Sequence, residues 1–155
     1  MNPKIICWET NCFLALFNKE PGRVEICNAI IEAAKRGEIK LYTSFLTICE
    51  CAKIKDEYAS EAEIIITGFF KHKYIIPVAI DDKVSRITRS LVREHHIDVK
   101  DAIHLATAIS IKADVLQTWD GDDLLNLNGK IPNVKTQILK PTIEFQPTLD
   151  QPLQP

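Results

Sequence analysis

Short apolar runs alternate with segments of helical period at intervals of about thirty residues, and this alternation constrains the fold more than any other feature of the chain. Ile5-Ile6-Cys7-Trp8 is the first run and reads as a buried strand. Ile39 to Thr43 alternates and reads as the second. Tyr74 to Val78, Ala113 to Thr118 and Val134 to Leu139 follow as the third, fourth and fifth. Pro77 cannot donate to a ladder, so the third strand ends there or lies at an edge. Between the runs the apolar residues change period. Thr10 or Asn11 is positioned to cap a short helix through Leu16 and Phe17, and Pro21-Gly22 breaks the chain. Val24, Cys27, Ile30, Ile31 and Ala34 mark a helix from Arg23 to Lys35, closed by Gly37. Ser44 caps a helix from Leu46 to about Lys55, and another is expected from about Ser60 to Phe70. Asp81 or Asp82 opens a helix with Val84, Ile87, Leu91 and Val92 inward, and Asp98 caps one whose body is Ile103 to Ile111. Leu124-Leu125 suits a short helical turn. The pattern predicts an α/β domain of three layers, a mostly parallel central sheet covered by helices.

A chain of 155 residues suits one domain. We assign it to residues 1–140 and expect 141–155, with Pro141, Pro147, Pro152 and Pro155, to be an extended or disordered tail. No apolar run approaches the ~20 residues that cross a bilayer. The N-terminus lacks the layout of a secretory signal, so a cytoplasmic protein with no membrane partner is expected. Cys7, Cys12, Cys27, Cys49 and Cys51 are odd in number and lack zinc spacing, which reads as buried free thiols in a reducing compartment. The net charge of −2 argues against a strongly basic, non-specific nucleic-acid binder. It is compatible with an acid-lined site that takes up cations.

Acids stand where such a fold gathers its ligands, outside the carboxyl ends of the strands. Glu9 directly follows the first strand and Asp120 the fourth, Glu50 lies in the helix after the second, and Asp101 is in the first turn of a later helix. Mg²⁺ or Mn²⁺ is a hard ion that favours such oxygen donors. One ion can acidify water, and two about 3.5–4 Å apart can clamp an in-line phosphoryl displacement. Most of the 21 acidic residues have an ordinary place on the surface or at helix caps, and Asp101 also suits the dipole of its own helix.

Four ordered segments resemble the motifs of the PIN-domain family. Residues 5–16, with Trp8-Glu9-Thr10-Asn11, resemble the family's opening strand and helix. Leu41 to Glu50, with Ser44 before a Glu-bearing helix, resembles the second motif. Asp101-Ala102-Ile103-His104-Leu105-Ala106-Thr107-Ala108 is similar to the third and is the most specific. Leu116 to Leu125, around Trp119-Asp120-Gly121, resembles the fourth. The resemblance spans about residues 4–139 and is nearest to the small prokaryotic VapC-type members. It implies a PIN-like, Rossmann-like fold and a Mg²⁺- or Mn²⁺-dependent endoribonuclease, a hydrolase that cleaves RNA and acts as the toxin of a toxin–antitoxin pair, with an antitoxin protein and a second copy of itself as partners. It implies Glu9, Glu50, Asp101 and Asp120 as catalytic and metal-site acids, Asp122 or Asp123 as a nearby acid, and Thr10, Asn11 and Ser44 as supporting groups.

Glu9 departs from the family's pattern, which has aspartate there. The extra methylene displaces its oxygens by about 1.5 Å, where catalytic constellations tolerate about 0.5 Å. A misplacement of 1 Å can cost ~10²-fold in rate. An attenuated or non-catalytic PIN-like binding module is therefore the rival expectation. A phosphatase-like reading is weaker, because no Asp-x-Asp follows the first strand and no glycine-rich phosphate loop occurs.

The remaining candidates have ordinary roles. His104, in an apolar helix, is expected to be packed and hydrogen-bonded rather than catalytic. His95-His96 suits a helix C-terminus. Arg86, Arg89 and Arg93 suit a solvated helix face, and Trp8 and Trp119 suit the core. Lys53 and Lys55, just past Glu50, are the better candidates for substrate contact.

Overall fold

A computed structural model describes residues 2–142 of the chain. The strands are β1 (Lys4–Trp8), β2 (Ile39–Ser44), β3 (Ile75–Val78), β4 (Val115–Gln117) and β5 (Gln137–Leu139). The helices are α1 (Thr10–Phe17), α2 (Val24–Lys35), α3 (Phe45–Glu50), α4 (Asp56–Phe69), α5 (Asp82–His95) and α6 (Val99–Ser110). The strands form one sheet in the order β3-β2-β1-β4-β5, and every neighbouring pair is parallel. The expected three-layer α/β architecture is therefore present, and the proline-bearing β3 lies at an edge.

Side chains of β1 alternate between two apolar layers, as the period of a strand requires. Ile6 and Trp8 face a layer built with α1, α2 and α4, where Phe13 touches the rings of Trp8, Phe17, Phe69 and Phe70. Cys7 faces the opposite layer, with Val84, Leu91, Leu105, Leu116 and Ile138. Each fully buried side chain of this kind stabilises the fold by about 1.5–3 kcal/mol.

Several boundaries differ from those read in the sequence. Glu9 caps α1, not Thr10 or Asn11, because the side chains of those two residues bond elsewhere. The helix after β2 ends at Glu50 and is followed by a 3-10 turn, Cys51–Lys53. Helical bonding stops because the Asn18 side chain takes the Lys55 backbone N–H at 3.0 Å. The next helix starts at Asp56, four residues before the expected Ser60, and has Asp56 and Glu57 in a first turn that favours negative charge. The last two strands are shorter than the apolar runs that announced them.

Asp81, Asp98 and Ser44 all cap the helices expected of them. His96 closes α5 in the left-handed conformation, with φ of 55°. Cys49 is exposed, against expectation, while the other four cysteines are buried. Burial raises the thiols of Cys7, Cys27 and Cys51 to about 12, so these are packing residues. Of the expected C-terminal tail only Pro141 and Thr142 fall within the described residues.

Candidate active site

Register brings the site together. β1 pairs Trp8 with Thr43 on one side and with Gln117 on the other. The residues that follow, Glu9, Ser44 and Thr118, therefore stand together at one end of the sheet, the carboxyl end of all three strands. α6 adds Asp101 from its first turn. Two groups of side chains form there. Oxygens of Asp101, Asp120 and Asp123 lie within 4.8 Å of one another, and Glu9, Glu50 and His104 make a second group of the same compactness.

Asp120 is oriented by backbone. Its Oδ1 accepts the N–H groups of Asp122 and Asp123 at 3.2 Å each, and its own N–H donates to Thr118 Oγ1 at 3.0 Å. The turn that follows β4 thus folds Asp123 back toward Asp120. Asp122 stays exposed and serves through its backbone.

Burial, followed by the charges of Asp120, Glu9, Asp123 and Asp98, raises the Asp101 carboxyl to about 6. Repulsion among clustered carboxylates is what a bound cation relieves. The donor set is all oxygen, which suits a hard divalent cation rather than a soft metal. These residues therefore fit a divalent cation.

Glu9 is nearly buried, and its longer side chain turns back on its own helix. Its Oε2 accepts the Asn11 backbone N–H at 3.3 Å and the Thr118 hydroxyl at 3.1 Å, and its Oε1 lies 3.8 Å from His104 Nε2. Burial raises its carboxyl, while His104 and the two hydrogen bonds oppose the rise. Glu50 is held differently. Its Oε1 accepts from His104 Nε2 at 2.8 Å and from the Thr10 hydroxyl at 2.9 Å, and its Oε2 meets Lys53 Nζ at 3.4 Å. The hydrogen bond from His104 is the chief cause that lowers this carboxyl to about 2.

The supporting residues divide the work. Asn11 clamps α1 to the end of β4, donating to Thr118 Oγ1 at 3.0 Å and accepting from the Trp119 N–H at 3.0 Å. Ser44 serves only as the cap of α3, at 3.1 Å from the Leu46 N–H. Thr118 was not singled out in the sequence, yet it touches Glu9, Asn11 and the Asp120 backbone. Its signal is register: it follows Gln117, the β4 partner of Trp8, and so stands beside Glu9. The hydroxyls of Thr43 and Thr47, which no sequence motif marks, lie 2.7 Å apart and back the Thr10 contact. His104 is packed and hydrogen-bonded as expected, at 1% exposure.

The other candidates belong to neither group of site side chains, although Lys53 touches Glu50 and the Trp119 N–H donates to Asn11. Arg86 pairs with Asp82, and Arg89 and Arg93 are exposed on α5. Lys55 is exposed, and Lys53 is committed in part to Glu50. Trp8 is fully buried, whereas Trp119 is half-buried, with the Arg23 guanidinium 4.9 Å over its ring.

This arrangement can be set beside known proteins. The PIN-domain profile matches residues 6–130. The chain belongs to the PIN-domain family. Solved PIN-fold structures agree with it. VapBC2 of Rickettsia felis, solved with a DNA fragment from its promoter, superposes with a TM-score of 0.60 at 18% identity, over 86% of this chain and 98% of that one. The toxin VapC20 of Mycobacterium tuberculosis, which cleaves the sarcin–ricin loop, gives 0.61 at 14% identity, over 76% and 91%. VapBC-5 of the same organism, from the VapBC family of toxin–antitoxin systems, gives 0.57 at 18%, over 89% and 99%. No curated protein matches the sequence. Among the described residues of this PIN domain, no helix is long and apolar enough to cross a membrane.

Proposed function

We propose that this PIN domain is a divalent-cation-dependent endoribonuclease that hydrolyses RNA phosphodiesters. The observation that carries this reading is the all-carboxylate triad of Asp101, Asp120 and Asp123, with Glu9 beside it, at the carboxyl end of a parallel sheet. A Mg²⁺ or Mn²⁺ held there would supply a Lewis acid and a more acidic water. Asp101 and Asp120 would hold the ion, with Asp123 completing their side of the site. Thr118 and Asn11 fix Glu9 and the Asp120 turn in one frame. Glu9, whose proton affinity burial increases, is a better general base than Glu50, whose carboxyl lies too low to take a proton near neutrality.

A toxin role belongs to the same proposal and rests on the likeness to VapBC assemblies. Its partners are an antitoxin protein and a second copy of the chain. We place the protein in the cytoplasm, where its RNA would be, and take residues 1–140 as the nuclease domain.

One observation favours a second reading. The Glu9 carboxylate is spent on the cap of α1 and on Thr118, which suits an attenuated or purely binding PIN module. RNA cleavage assayed with Mn²⁺, with chelator, and with Asp101→Asn decides the matter. Cleavage that needs Mn²⁺ and is lost in Asp101→Asn supports the nuclease. Mn²⁺ uptake without cleavage supports the binding module, and cleavage that survives Asp101→Asn rules out this site.

A further inference from the structure

We infer that His104 excludes a second cation: it occupies the space between Glu9 and Glu50, holds Glu50 by a hydrogen bond away from the metal, and limits the site to one divalent ion, carried by Asp101, Asp120 and Asp123. The inference rests on the reading of that triad as a cation site and adds to it a stoichiometry and a residue that sets it.

Glu9 and Glu50 are two carboxyl groups facing each other in a largely buried space, and their lone pairs call for a hydrogen-bond donor or a cation between them. A metal ion is one solution. Here His104 occupies that place, with Nε2 at 2.8 Å from Glu50 Oε1 and 3.8 Å from Glu9 Oε1. Thr10 at 2.9 Å and Lys53 at 3.4 Å fill the remaining sides of the Glu50 carboxylate. Glu50 thus has a donor on each oxygen without any ion.

The other ring nitrogen decides whether His104 is a donor or a metal ligand. Nδ1 is buried and has no hydrogen-bond partner among the described residues. A histidine that ligates a metal through Nε2 carries its proton on Nδ1 and donates it to a carboxylate or carbonyl. No such acceptor is present, and an unpaired N–H costs about 1–3 kcal/mol when buried. The proton therefore belongs on Nε2, pointing at Glu50, and Nε2 is closed to a metal. The ring has little room to swing out of the way, because the His104 side chain is only 1% exposed.

The experiment is Mn²⁺ titration of the full chain, with free ion read by electron paramagnetic resonance and folding checked by circular dichroism. Wild type is expected to bind one Mn²⁺ per chain. His104→Gln keeps an N–H donor and stays at one. His104→Leu frees Glu50 and admits a second, weaker Mn²⁺. Glu50→Gln keeps the single ion, with affinity changed by less than about tenfold, the low end for a residue outside the metal's own ligands. Asp120→Asn loses it. Two ions in wild type, one in a folded His104→Leu chain, or loss of the ion in Glu50→Gln each overturns the inference. Two ions in wild type leave the nuclease reading intact, whereas no Mn²⁺ at all overturns both. Should His104→Leu fail to fold, the wild-type count and Glu50→Gln still decide.

Discussion

Position 9 carries a carboxylate one methylene longer than the aspartate that PIN motifs have there, and the structure shows where that length goes. It bends the oxygens back onto the Asn11 N–H and the Thr118 hydroxyl, and leaves one of them facing His104. Shortening the side chain withdraws it from these contacts and turns the charge toward Asp101. Glu9→Asp is therefore expected to raise Mn²⁺-dependent RNA cleavage by about tenfold or more, measured as kcat/KM, on the scale that an ångström of displacement costs. An unchanged or lower rate would count against the geometry. Asp101 gives the pH dependence. Its carboxyl is raised to about 6, above the ordinary unfolded value of about 3.9. The neutral form is thus favoured in the fold, so the group's contribution to metal-free stability declines as pH rises through that window. A cation needs the charged form. Mn²⁺ affinity is expected to be level above pH 7 and to fall about tenfold per pH unit well below 6, with one proton released per ion bound. Calorimetry in buffers of different ionisation enthalpy checks both statements. The sequence displayed every one of these acids. It did not display that Asp123 joins Asp101 and Asp120 while Asp122 does not, because that choice is made by the backbone of the turn after β4.

Between elements, the site depends on a hydroxyl. Thr118 ties the end of β4 to α1 through Asn11, supports Glu9, and receives the Asp120 N–H. Thr118→Val keeps the shape and removes all three bonds, leaving buried partners unpaired. A loss of about 1–3 kcal/mol of stability follows from that, with a matching fall in Mn²⁺ affinity. Denaturant unfolding and metal titration of the same variant would show the two together, and a loss of affinity without loss of stability would contradict the coupling. Elements with strong periodicity, such as α2 and α5, were legible in the sequence because their apolar faces repeat over several turns. The break after Glu50 was not. It depends on Asn18, from the far end of α1, reaching the Lys55 N–H, a contact between positions 37 apart. The cap of α1 was misread for a similar reason: Thr10 and Asn11 are good caps locally, but tertiary partners claim both side chains.

For the whole molecule, the alternation of runs was sufficient to give a parallel three-layer sheet, because a strand can rejoin its neighbour in parallel only through a crossover. It did not give the order β3-β2-β1-β4-β5. That order follows from which faces pack. β1 is apolar on both sides and takes the centre, while β3, with Pro77, goes to an edge. Among the described residues, the five strands and both apolar layers lie within residues 4–139. Residues 143–155 carry Pro147, Pro152 and Pro155 and no helical or strand period, so a chain ended after Thr142 is expected to melt within a few degrees of the full chain, the shift that about 1 kcal/mol makes in a domain of this size. A larger drop in a calorimetric scan would show that the remaining residues contribute to the fold.

The placing of β4 beside β1 has a consequence for synthesis. Glu9 leaves the ribosome early and Thr118 follows 109 residues later, yet the two share a hydrogen bond. Growing from the N-terminus at about 5–20 residues per second, the nascent chain spends several seconds without the strand that carries Asp120 into place. Throughout that interval it lacks at least two of the three triad carboxylates, and all three until Asp101 is made. The order of synthesis thus delays assembly of the acid cluster until most of the polypeptide has been made.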